Sequence, residues 1–175
     1  MEIVGGIFVL IVMLILSGIK VVKDSNRLVI YRYGKVVATK GAGVHLVFPL
    51  LETSELVDTR VKTLTTPLLS ASTLDLQNVN ISAICMFQIG DAKRAVTRVD
   101  DSAVATEAVV QTVLRTVVGQ NDLQTLLTEQ RNINKRLKAL AEKQTKEWGV
   151  NIKSVEIKDL ATVAMIDAHG IEEPG

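Results

Sequence analysis

Residues 79–89 read VNISAICMFQI. Val79, Ile81, Ala83, Cys85, Phe87 and Ile89 fall at every second position, with Asn80, Ser82 and Gln88 among the residues between them. A period of two places the first set on one buried face of a strand and the second on the other. The preceding Asp75-Leu76-Gln77-Asn78 predicts a turn, since Asx side chains hydrogen-bond their own backbone there. Outward from this strand, residues 27–33 (RLVIYRY) read as another strand, ended by Gly34, with VVAT pairing back on it. Residues 55–65 (ELVDTRVKTLT) alternate as a half-exposed strand that Pro67 stops. The front half of the chain is therefore predicted to be a small, mostly antiparallel sheet.

The back half has helical periodicity. Asp91 suits the N-cap of a short helix AKRAVTRV. Asp100, Asp101 and Ser102 are candidate N-caps for a helix to about Val118, with Gly119 after it. That helix carries only a narrow polar stripe, Glu107, Gln111 and Arg115. A helix so apolar must be covered on more than one side. The sheet is one candidate cover and a neighbouring copy of the chain is another. Val109, Val110, Val113 and Val117 are the predicted oligomer contact. Thr128 suits the cap of a longer helix ending at Trp148-Gly149, with Ile133, Leu137, Leu140, Ala141 and Trp148 on its inner face. Arg131, Lys135, Lys138 and Lys146 line its outer face, by default a solvated surface. Residues 150–157 (VNIKSVEI) make a last strand, whose alternation slips between Lys153 and Ser154 and predicts a bulge or bend.

The apolar excess of the chain lies at its start. Residues 3–19, IVGGIFVLIVMLILSGI, hold 17 positions without a charge. As a helix they cover roughly 25 Å, and an extension to Val22 gives about 30 Å, the hydrocarbon thickness of a bilayer. A secretory signal would lead with Lys or Arg and end in small residues at a cleavage site, whereas Glu2 leads here and no A-x-A follows. One straight membrane span through Ile3, Phe8, Leu10, Leu14 and Ile19 is expected, in preference to a re-entrant hairpin. Lys20, Lys23, Arg27, Arg32 and Lys35 all follow the run, so the positive-inside bias places the main domain in the cytoplasm of a single-pass cell-membrane protein. Residues 41–51 (GAGVHLVFPLL) form an unusually apolar loop. Two placements suit Val44, Leu46, Val47, Phe48 and Pro49: burial under the sheet, or a dip into the lipid surface.

Little points to catalysis. Among 175 residues there are two histidines, His45 and His169, and one cysteine, Cys85. His45 sits among Gly, Val and Leu, which suits a structural or interfacial histidine better than a base. Cys85 suits a small core residue. Neither metal-ligand spacing nor a phosphate-binding glycine motif is present. No catalytic residue, metal or cofactor is assigned. The net charge of +1 and the 3% aromatic content argue against nucleic acid as a partner.

The ordered set of motifs from Val21 to Asp159 resembles the stomatin branch of the stomatin/prohibitin/flotillin (SPFH, band 7) proteins, over about four fifths of the chain. It comprises Asn26-Arg27-Leu28-Val29-Ile30-Tyr31-Arg32-Tyr33-Gly34-Lys35, the glycine loop with Pro49, and Asp58-Thr59-Arg60. Later come Thr112-Val113-Leu114-Arg115 with Gly119, then Trp148-Gly149-Val150, then Val155-Glu156-Ile157-Lys158-Asp159. The resemblance implies an α/β fold of the α+β type, with a small curved antiparallel sheet packed against helices just off the membrane. It implies a non-catalytic scaffold that forms homo-oligomers and organises membrane microdomains. An accessory subunit of a membrane protease or channel, or a partner of an NfeD-type protein, is the alternative; a membrane-tethered enzyme comes third. Three features depart from the family pattern. Ala42 stands where proline is common, the membrane segment lacks a central proline, and no heptads follow the last strand. The domain organisation read from the sequence is thus a membrane anchor (1–22), an SPFH domain (23–159) and a short tail (160–175) in place of the family's coiled-coil helix.

Overall fold

The computed structural model describes residues 13, 17–48 and 50–162. The chain divides into two compact units, Met1–Arg60 and Val61–Gly175.

In the first unit, β1 (Ile19–Val22) pairs antiparallel with β4 (Gly43–Leu46). A second sheet has the order β3-β2-β5, from β3 (Lys35–Lys40), β2 (Asn26–Arg32) and β5 (Glu52–Asp58). β2 and β3 close through Tyr33 and Gly34, both at positive φ (51° and 75°), as the twist of a two-residue hairpin requires. Val22, Leu28, Ile30 and Val47 form the buried core of this unit, with Ala38 packed against it.

The sequence predicts one strand over residues 55–65, but the chain breaks at Thr59-Arg60, where the two units divide. The Asp58 carboxylate accepts from the Arg60 N–H at 3.0 Å, and the Thr59 N–H and hydroxyl both donate to the Ser25 carbonyl, at 2.8 and 2.7 Å. These bonds turn the backbone although the side-chain alternation runs on unbroken.

In the second unit, β8 (Asn78–Ile89) is the central strand. β6 (Val61–Thr65) and β7 (Leu69–Ser72) share one of its edges, and β9 (Val150–Thr162) follows the other from Ile89↔Val150 to Val79↔Thr162. All six predicted inward residues of β8 are buried, at 7% exposure or less. Four helices join these strands: α1 (Ala92–Thr97), α2 (Ser102–Gly119), α3 (Leu123–Thr128) and α4 (Gln130–Thr145). Asp91 caps α1 by accepting from the Arg94 N–H, and Asp101 caps α2 through the N–H groups of Ala103 and Val104. Thr128, the predicted cap of the long helix, instead ends α3, its hydroxyl donating to the Gln124 carbonyl at 2.8 Å. Asp122 starts α3 six residues earlier by accepting from the Thr125 N–H. β9 runs on to Thr162, so Leu160, Ala161 and Thr162, assigned to the tail from sequence, belong to the sheet. The remainder of the tail lies outside the described residues.

Gly149 fixes the exit from α4. Its φ is +73°, and a Cβ there would meet the Asp91 carbonyl oxygen at 2.6 Å. Its own carbonyl accepts from the N–H groups of Gly90 and Asp91, tying the end of β8 to the start of β9. Gly149→Ala is therefore expected to destabilise the protein by at least about 1–2 kcal/mol, from the left-handed backbone alone. Leu137→Ala, which empties a fully buried position, is expected to cost about 2–5 kcal/mol. Urea unfolding followed by circular dichroism measures both, and an unchanged midpoint for either variant contradicts the packing described.

Candidate functional site

The β1/β4 ribbon sets Ile19 opposite Leu46, Lys20 opposite His45, Val21 opposite Val44 and Val22 opposite Gly43. Directly paired residues share a face. Ile19, Val21, Val44 and Leu46 thus form one face, and all four are exposed, Val21 at 71% and Val44 at 69%. On the other face, Val22 is buried in the core of the unit and His45 is half-buried. The adjoining turn continues the exposed apolar surface through Phe48, Leu50 (82%) and Leu51.

The loop that sequence placed either under the sheet or at a lipid surface is buried in part and exposed in part. Val47 is 4% exposed and belongs to the core, whereas Val44, Leu46 and Phe48 point outward. Pro49 lies outside the described residues, as do Ile3, Phe8, Leu10 and Leu14 of the predicted span. Ile19, placed in that span from sequence, begins β1 instead. Its strand is completed by the bond from the Val47 N–H to the Gly18 carbonyl at 2.9 Å, so the segment Ile19–Val22 is extended rather than helical. Among the described residues, no helix is long and apolar enough to cross a membrane.

The turn carrying these residues is clamped. The Glu52 N–H donates to the Phe48 carbonyl at 2.8 Å, and the Phe48 N–H donates to the Glu52 carboxylate at 3.3 Å. Arg32 donates to the same carboxylate through Nε (3.2 Å) and Nη2 (2.5 Å). The Arg32 hydrogen bonds first, and then the Phe48 N–H, hold the Glu52 carboxyl below the usual carboxylate range. Since the folded pKa lies below the unfolded one, this contribution is present above about pH 4.3 and is lost as the pH falls through the folded value.

The candidate chemical groups are taken up by structure. His45 Nε2 donates to the Gly41 carbonyl at 2.8 Å, closing the glycine loop. Cys85 is fully buried, and burial pushes its thiol up to about 11. Among the described residues, no group of three or more His, Cys, Asp or Glu side chains converges on a common point. His169 lies outside them.

Most of the residues of the predicted oligomer contact lie inside the chain. Val110, Val113 and Val117 are buried within the chain itself, and Val109 is half-buried. α2 packs against the sheet and against α4, so two covers from its own chain absorb its apolar face. The exposed positions of α2 include Val104, Ala108, Thr112 and Thr116. Sequence reasoning also overlooked Val21 as a ribbon residue, because IKVV reads as the end of the apolar run. The signal available was its alternation, matched by Gly43-Val44-His45-Leu46.

A profile of the SPFH domain / Band 7 family matches residues 20–167. An uncharacterized protein of Archaeoglobus fulgidus is 34% identical over 155 residues, covering 89% of this chain and 62% of the relative. A stomatin homolog of Pyrococcus horikoshii is 36% identical over 154 residues, or 88% of this chain and 58% of the relative. Mechanosensory protein 2 of Caenorhabditis elegans is 33% identical over 144 residues, or 81% of this chain and 30% of the relative. The chain thus spans less than two thirds of the length of each of these relatives.

A thiol reagent at pH 8 should label Cys85 at least about 100-fold more slowly in the folded protein than in guanidinium, because the reactive thiolate is scarce and shielded. Similar rates in the two states would contradict its burial in β8.

Proposed function

This chain belongs to the SPFH (band 7) family as a stomatin-like member, and from that premise we propose that it is a membrane-bound, non-catalytic scaffold. The observation that supports this reading is the exposed face of Ile19, Val21, Val44 and Leu46, which follows directly on the uncharged run of residues 3–19. Four aliphatic side chains on one face of a two-stranded ribbon are costly in water, at about 25 cal/mol for each Å² of apolar surface. The same face is satisfied by contact with the lipid to which the preceding run is tied.

In this reading residues 3–18 span the bilayer once. The ribbon and the Phe48–Leu51 turn rest in the headgroup region, and Lys20 and Lys23 meet the lipid phosphates. The basic residues after the run set the folded body on the cytoplasmic side. Copies of the chain associate laterally and organise the surrounding membrane.

Leu14→Arg should shift the protein from the membrane to the soluble fraction, since a charge at the bilayer centre costs about 2.5–3.5 kcal/mol on insertion scales. Retention of that variant in the membrane would reject the span. A tryptophan introduced as Val44→Trp should be quenched by brominated lipids well beyond the Trp148 background; equal quenching of the two would reject the seated ribbon. Crosslinking in native membranes should give a ladder of self-products. A single foreign band would instead identify an accessory subunit of a membrane protease, a channel or an NfeD-type protein.

A further inference from the structure

In the second unit, a groove of about 390 Å³ runs between α4 and the first part of β9. Arg131, Lys135 and Lys138 enter it from α4, and Lys153 from β9. The residues at i, i+4 and i+7 share one face of a helix. Glu156 is its one carboxylate, and no ion pair within 4.0 Å involves any of the four cations among the described residues.

Two features make this more than a solvated basic face. The first is the backbone of β9. Ile152 pairs with Phe87 and Ser154 with Met86, so Lys153 is the extra residue of a β-bulge. A bulge re-aims a side chain at the cost of a broken ladder, and here it delivers a fourth cation to the groove. The second is the local electrostatics of α4. Its first acidic residue is Glu142, and its first turn contains Arg131 but no acid. Like charges spaced at i, i+4 repel, and a cation in the first turn opposes the helix dipole. Among the described residues no carboxylate, neither Glu129 at the N-cap of α4 nor Glu156 of the groove, lies within 4.0 Å of these cations, whereas a bound anion would offset their repulsion.

We propose that this groove is a binding site for a phosphate-bearing anion. Arg131 offers a planar fork of donors that matches two phosphate oxygens, and the three lysines supply mobile ammonium groups. Asn134 is held by its amide oxygen, which accepts from the Ile157 N–H at 3.2 Å, leaving its NH₂ to donate into the groove it lines. Two sources carry this chemistry, a soluble phosphate compound and a phospholipid headgroup.

The test is lysine footprinting of the full chain in nanodiscs, with acetic anhydride as the reagent and mass spectrometry as the readout. One arm adds pyrophosphate to phosphatidylcholine discs, and the other uses discs containing phosphatidic acid. Acetylation of Lys135, Lys138 and Lys153 should fall at least about five-fold in one arm or both, with Lys158 unchanged. Protection by pyrophosphate assigns a soluble ligand, and protection by phosphatidic acid alone assigns the headgroup. In the pyrophosphate arm, Lys153→Gln should raise the half-saturating concentration about ten-fold, as the loss of one charge-assisted contact implies, while Lys158→Gln should not. Absence of protection in both arms, or equal protection of Lys158, would overturn the proposal.

Discussion

The antiparallel ladder between β8 and β9 is the contact on which the larger unit depends. It joins Ile89 to Val150 across about sixty residues. Closing a loop of that length costs roughly 3–4 kcal/mol of chain entropy. The return comes from side chains that neither strand could bury alone. Val79, Ile81, Ala83, Cys85, Phe87 and Ile89 are buried on one face of the sheet together with Val150, Ile152 and Val155, and α2 and α4 pack against that sheet. At about 1.5–3 kcal/mol for each large aliphatic side chain, two or three of them offset the closure. The helices are therefore held by the sheet they cover, and the Gly149 turn that admits β9 to the ladder is a condition for the whole arrangement.

Where local chemistry and tertiary packing agree, the sequence was legible. The period of two in residues 79–89 marks a strand because one face is buried throughout, whereas the other is buried fully only at Ser82. Asp91 and Asp101 mark helix starts because an aspartate there satisfies N–H groups that nothing else reaches. The break at Thr59-Arg60 was not legible, since the Ser25 carbonyl that receives both Thr59 donors lies 34 residues away. β1 escaped notice for the same reason. Ile19–Val22 becomes a strand only because Gly43–Leu46 comes to lie beside it, and in isolation it extends an apolar run. Thr128 has the right chemistry for a cap, but Asp122 had already opened a helix upstream.

Two apolar features of the described residues have opposite outcomes. α2 called for cover on more than one side, and the sheet and α4 pack against it where Val110, Val113, Leu114, Val117 and Val118 are buried. Composition alone could not reveal this, because the number of covers is set by topology. The ribbon shows the reverse. Its two strands are short and carry alternating Lys20 and His45, features of an ordinary edge hairpin, yet its aliphatic face remains uncovered. An uncovered aliphatic face on a clamped, well-defined ribbon is a stronger sign of an external partner than a long apolar helix that its own chain can bury.

The charges of β9 permit a similar comparison. Its ladder slips twice, and each slip leaves a lysine unpaired: Lys153 between the partners of Phe87 and Met86, and Lys158 between those of Ala83 and Ser82. The backbone device is the same, but the surroundings differ. Lys158 has the Asp159 carboxylate 3.7 Å away, and that carboxylate also accepts from the Ser82 hydroxyl at 2.7 Å. This bulge is neutralised within the chain. Lys153 has no such neighbour among the described residues and faces three further cations of α4. Bulging alone therefore does not explain the charge of the groove. The uncompensated lysine stands only where α4 had already gathered cations, and that coincidence of two independent elements is what an anion site requires.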